Sequence, residues 1–158
     1  MKSQKILLDI EDEDEPIILG LVRLVKETPD HELFYHINSK NSFTLTRIND
    51  LISTGVYYDY HFPRFEGFHH DSKVCIQFIA NKSSQNIQKK IATELFSDEQ
   101  EIKFLLDRFQ DVDYLLKISE PSSDFSVILL PENFLFQIQI FPLSPFEELY
   151  QTIQYYYE

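Results

Sequence analysis

The chain has 158 residues, 14 basic against 26 acidic side chains, and a formal net charge of −12. A surface this acidic repels phosphate backbones and anionic lipid, which argues against nucleic-acid and membrane partners and leaves a basic protein partner, self-association or no partner. Cys75 is the only cysteine and Gly20, Gly55 and Gly67 are far apart, so neither an intramolecular disulfide nor a glycine-rich phosphate loop is available.

At this length the chain is read as one domain that needs no disulfide or metal to hold its core. Met1 to Lys5 lacks the apolar core of a signal peptide, and no run approaches the ~18 apolar residues of a membrane span. A soluble, cytoplasmic protein is expected.

Ile6 to Ile10 is an apolar run able to open a sheet. Glu11 to Glu15 places five carboxylates in a row before Pro16, which reads as a solvated, self-repelling turn rather than a calcium site, since spaced ligands and a glycine are lacking. Ile17 to Val25 predicts a buried strand. Thr28-Pro29-Asp30 predicts a helix start, with Thr28 as N-cap and Pro29 at the first helical position, and Leu33, Phe34 and Ile37 form its apolar face. Asn38 to Asn41 ends it.

Phe43 to Ile48 alternates as a strand, and Val56 to Phe62 is a second. Pro63 to Ser72 is read as a loop joining a hairpin to a strand at Lys73 to Ala80. Ser83 to Lys90 is read as a polar surface connection. Ser97-Asp98-Glu99-Gln100 matches a capping box, and Ile102, Leu105, Leu106 and Phe109 then follow at helical spacing, predicting a helix over 98–109. Val112 to Ile118 predicts a strand, Pro121 to Leu130 a short helix stopped by Pro131, and Phe134 to Phe141 a half-buried strand. Pro145 opens a last helix with Phe146, Leu149, Tyr150 and Ile153 on it. The expected fold class is α+β, a single domain with a predominantly antiparallel sheet and about three to four helices.

Val112-Asp113-Tyr114 resembles the second half of the signature of an uncharacterised bacterial family, the IPExxxVDY family. Leu106-Asp107-Arg108 stands where that signature has Ile-Pro-Glu. Leu19-Gly20-Leu21, His36-Ile37-Asn38, Thr46 to Leu51 and Ile79 to Ser83 are similar to further family segments, in family order, and together extend over most of the chain. The resemblance implies no catalytic residue.

Asp113 is expected to accept backbone N–H groups of the preceding turn, and Tyr114 to bury its ring against the helix of Leu105 and Phe109. That makes Val112, Asp113 and Tyr114 structural, although Asp107, Arg108 and Asp111 concentrate charge nearby. His61, Glu66, His69, His70 and Asp71 form the best cluster of metal-ligating types. An adjacent His-His pair is a poor chelate, so a polar loop is the favoured reading and no metal or cofactor is expected. Glu32 and His36 share a helix face at i, i+4 and read as a solvated pair. Cys75, between Val74 and Ile76, reads as a small buried apolar residue. Ser42, Ser53 and Ser126 have no nucleophile-elbow context. Tyr155-Tyr156-Tyr157 forms either an exposed contact patch or a helix end packed on the sheet. The function expected is a non-enzymatic protein-interaction module. The rival is a small metal- or ligand-binding enzyme using the loop of His61, His69 and His70.

Overall fold

The computed structural model describes residues 15–88, 101–119 and 125–157. The expectations for Ile6 to Ile10, most of the acidic run and the capping box at Ser97 to Gln100 lie outside them.

The chain forms β1 (Ile17–Val22), α1 (Asp30–Lys40), β2 (Thr46–Thr54), β3 (Tyr58–Phe68), β4 (Cys75–Ala80), β5 (Ser84–Gln88), β6 (Tyr114–Ile118), β7 (Gln139–Leu143) and α2 (Glu148–Tyr157), with 3-10 turns at Asp107–Phe109 and Phe125–Val127. All strand pairs are antiparallel. Six strands run in the order β2-β3-β4-β6-β1-β7, and β5 pairs with β3 off that path. Strands β1, β4 and β6 are near-continuous apolar runs because both faces of the sheet are covered. On the first face Val22, Phe65, Phe78, Tyr114 and Leu116 pack with Leu33, Phe34 and Ile37 of α1 and with Phe125, Ile128 and Leu135. On the second, Leu19, Leu21, Phe62, Ile79 and Leu115 pack with Leu106, Val112 and with Leu149, Tyr150 and Ile153 of α2.

The expected three to four helices are corrected: the described residues hold two α-helices and two single 3-10 turns. Residues 101–109 have the apolar spacing of a helix, but their backbone is taken by other partners. Leu105 N donates to Asn81 O at 2.9 Å, Leu106 N to Asn81 Oδ1 at 2.8 Å, and Lys103 N to Ser83 Oγ at 2.9 Å. Asn81 has no exposed surface. Its amide nitrogen donates to Phe109 O at 2.9 Å and Val112 O at 3.0 Å. One buried side chain thus replaces the ladder a helix would have used, and tertiary context overrides local propensity. Of the helix predicted over Pro121 to Leu130, the described residues 125–130 form only the 3-10 turn Phe125–Val127, closed by Ile128 N on Phe125 O at 3.2 Å.

Pro63 falls inside β3, not in a loop. Opposite it the register of β2 shifts between Ile48 and Leu51, so no ladder bond is asked of the proline nitrogen. Buried Arg64 donates its Nε to Asn49 O at 2.7 Å, satisfying a carbonyl within that irregularity. The β3–β4 hairpin turn is therefore shorter than read, from His69 to Val74, with Lys73 at φ 62° and its N–H on His69 O at 2.9 Å. Ser84–Gln88 is a strand rather than a connection. Thr28 does not cap α1: its hydroxyl donates to Lys26 O at 3.0 Å, and Pro29 is the N-cap. At the other end Asn41 Nδ2 donates to Ile37 O at 2.7 Å and to Leu129 O at 2.8 Å, fastening the segment after Phe125–Val127 to the helix.

Candidate functional site

Val112, Asp113 and Tyr114 are brought into three different environments. Val112 is buried on the second face, and its carbonyl is one of those held by Asn81. Asp113 clips the start of β6 to the end of β1. Its N–H donates to Val22 O at 2.8 Å, and its carboxylate accepts Leu24 N at 2.7 Å, a partner across the sheet rather than in the preceding turn. Burial is the main force pushing this carboxyl above its ordinary range, opposed by the Leu24 hydrogen bond. Tyr114 points to the first face, where its ring lies edge-on to Phe34 at 5.4 Å and to Phe78 at 6.3 Å. Leu105 and Phe109, the expected neighbours, pack with the cluster on the opposite face. The Tyr114 hydroxyl donates to the Asp30 carboxylate in the first turn of α1.

Asp107 and Arg108 lie in the 3-10 turn. Arg108 pairs with Glu147 at 2.9 Å and lies over the rings of Phe109 and Phe141. Arg23 donates to Asp111 at 2.7 Å and to Gln139 at 2.9 Å, and that hydrogen bond holds the Asp111 carboxyl below its usual range.

The histidine-rich stretch does not converge. His61 and Glu66 are five residues apart on β3 and so point to opposite faces. His61 Nδ1 is 3.4 Å from Asp50, which Arg47 also contacts at 2.6 Å. Glu66 accepts Gln77 Nε2 at 3.1 Å on the other face. His69 Nε2 is 3.3 Å from Ser42 Oγ, while His70 and Asp71 are exposed in the hairpin turn. Among the described residues no group of three or more His, Cys, Asp or Glu side chains is placed to hold a metal ion. His36 does not pair with Glu32; its ring stacks on Phe134 at 4.6 Å. The Cys75 thiol is pushed up to about 11 by burial and then by Glu66. Ser53 accepts Lys103 Nζ at 2.9 Å. Tyr155 is exposed on α2.

A concavity with apolar walls lies on the first face, beside β7, the last of the described strands on that side of the sheet, with a volume of about 590 Å³. Phe136, Ile138 and Ile140 wall it from the edge, and Phe125, Ile128 and Leu130 from the returning segment. Gly20 beneath makes this possible: a Cβ there would lie 2.8 Å from Ile138 Cγ2 and 3.4 Å from Phe125 Cε1. Phe136 is 55% exposed and Ile140 63%. A second groove, of about 640 Å³, lies across the ridge of Pro131 to Phe134 and is lined by His36, Lys40 and Glu132.

Compared with family models, curated proteins and solved structures, the chain finds no match. Among the described residues no helix is long and apolar enough to cross a membrane.

The edge strand also carries a stop. Pro142 pairs with Ile18, and a proline cannot donate, so the hydrogen-bonded pairs of the β1–β7 ladder are Leu19 with Phe141 and its alternates. The nitrogen of Pro142 therefore faces outward, and the free edge lacks a donor at that position. The strand expected from Phe134 to Phe141 begins only at Gln139; residues 136–138 lie outside any strand, and Leu135 bridges to Leu24. Phe136, Ile138 and Ile140 come together at the groove without a continuous strand alternation. That β7 is an edge is set by strand order, to which local spacing gives no access.

Proposed function

We propose that this chain is a non-enzymatic protein-interaction module whose docking surface is the groove beside β7. The observation that carries the reading is the pair of large, mostly exposed apolar side chains, Phe136 and Ile140, flanking a groove of about 590 Å³ on a sheet edge. Contiguous apolar surface of this kind mostly marks an interaction site, and aromatic anchors dominate such interfaces. Membership of the IPExxxVDY family and a cytoplasmic setting belong to the same proposal. They are supported by the Val112-Asp113-Tyr114 motif with its accompanying segments and by the absence of any cysteine pair.

The test is affinity capture from native extract with the parent chain and with Ile140→Asp, together with photo-crosslinking from a reactive residue placed at Phe136. The reading expects a partner that crosslinks at Phe136 and is not retained by Ile140→Asp. A properly folded parent that captures and crosslinks nothing refutes it.

A further inference from the structure

Building on that docking reading, we infer that the groove's occupant is a cationic amphipathic segment of another protein, inserting an apolar side chain with a Lys or Arg beside it. Three observations point this way. First, Glu132 is the only charged residue lining the groove among the described residues. It is exposed and enters no ion pair among the described residues, so its carboxylate is available at the rim. Glu132 also borders the groove on the other side of the ridge, whose lining cation Lys40 forms no ion pair with it.

Second, the chain as a whole carries −12, which draws basic partners in and makes two copies of itself repel. Third, Pro142 denies an incoming strand one of the edge donors, so recognition through side chains is favoured over strand addition. Apolar walls, a single acidic rim group and an interrupted backbone edge together describe a receptor for an apolar anchor flanked by positive charge.

Fluorescence anisotropy on the full chain with a leucine/lysine amphipathic peptide and its leucine/glutamate counterpart tests this. The basic peptide is expected to bind at least about tenfold more tightly than the acidic one, a margin set by electrostatic complementarity. Ile140→Asp should abolish that binding even though it adds negative charge, because attraction to the surface at large would strengthen instead. Ile140 is 63% exposed, so this variant leaves the core untouched, and a melting curve verifies it. Glu132→Lys should narrow the preference for the basic peptide at least several-fold, and an unchanged preference overturns the part assigned to the rim carboxylate.

Equal binding of both peptides, or binding unchanged by Ile140→Asp, overturns the inference. So does a parent chain that sediments as a dimer when Ile140→Asp is monomeric, since the occupant is then a second copy. An acidic partner crosslinked at Phe136 would refute this inference and leave the docking reading standing. The absence of any crosslinked partner would refute the docking reading itself.

Discussion

Asn81 Oδ1 accepts the N–H of Leu106 at 2.8 Å, across 25 residues of sequence and with the asparagine fully buried. This contact decides the local fold, since the same asparagine also holds Phe109 O and Val112 O and leaves the stretch no helical ladder. Asn81→Ala strands the Leu106 N–H and the Val112 carbonyl in the interior, while Phe109 O keeps the Val112 N–H at 3.1 Å. It should cost roughly 2–6 kcal/mol, at about 1–3 kcal/mol for each of the two groups left unsatisfied. Urea unfolding would show it as a lower midpoint at unchanged slope. A midpoint equal to the parent's would mean that the turn finds other partners.

Tyr114 separates ring from hydroxyl. Tyr114→Phe keeps the edge-on contacts with Phe34 and Phe78 and loses only the bond to Asp30, so ~1–2 kcal/mol is expected. Tyr114→Ala also opens a cavity and should cost ~3–5 kcal/mol. Thermal melts of the pair give the difference, and near-equal losses would place the weight on the hydroxyl.

Asp113 predicts a pH dependence of definite sign. Its carboxyl is raised in the folded chain, mainly by burial, so between its ordinary value and the raised one the native state binds more proton than the unfolded state. This residue's contribution to stability therefore falls as pH rises through that window. Asp113→Asn keeps an oxygen for Leu24 N–H and carries no charge. Melting temperatures from pH 4 upward should show the variant gaining on the parent as pH rises; a constant gap contradicts the assignment.

How much of this was legible in the sequence varies with how local the cause is. The face of α1 was readable because Leu33, Phe34 and Ile37 repeat at helical spacing and end up buried together. The apolar cores of β1, β4 and β6 were readable as short, near-continuous apolar runs. The helix expected over 98–109 failed where it is described because its competitor, Asn81, lies on a distant segment. Pro63 was read as a breaker, but the shift in β2 opposite it removes the need for its donor. Asp113 and Tyr114 stand out in the sequence as an adjacent acid and phenol, but their partners Leu24, Asp30, Phe34 and Phe78 depend on strand order and differ from the turn and helix expected. The groove was invisible for that reason too: Ile140 lies on the last strand of the described sheet order, with no described strand beyond it, and Phe136 just before it.

Cys75 should be slow to react. With its thiol pushed up to about 11, the thiolate is a small fraction at pH 8, and iodoacetamide should label the native chain far more slowly than the urea-unfolded one. The native rate should climb only as pH approaches that value. Rapid labelling at neutral pH would show that the residue is neither shielded nor held protonated.

Gly20→Ala tests the floor of the groove. The added methyl would meet Ile138 Cγ2 at 2.8 Å, and overpacking of this kind costs ~1–3 kcal/mol. The measurable signature is a lower melting temperature accompanied by weaker binding of whatever ligand the groove takes.

Strand β1 is ready early and completed late. Its neighbours are β6, paired from Tyr114, and β7, paired from Gln139, so during synthesis both of its edges stay open until the final third of the chain has emerged. For that interval Ile17 to Val22 is an apolar strand with unpaired edges, the kind of segment that seeds association between nascent chains. The carboxylates of Glu11 to Glu15 stand directly before it in sequence. Their mutual repulsion opposes the stacking of one nascent strand on another, which gives the acidic run a protective task before the sheet exists.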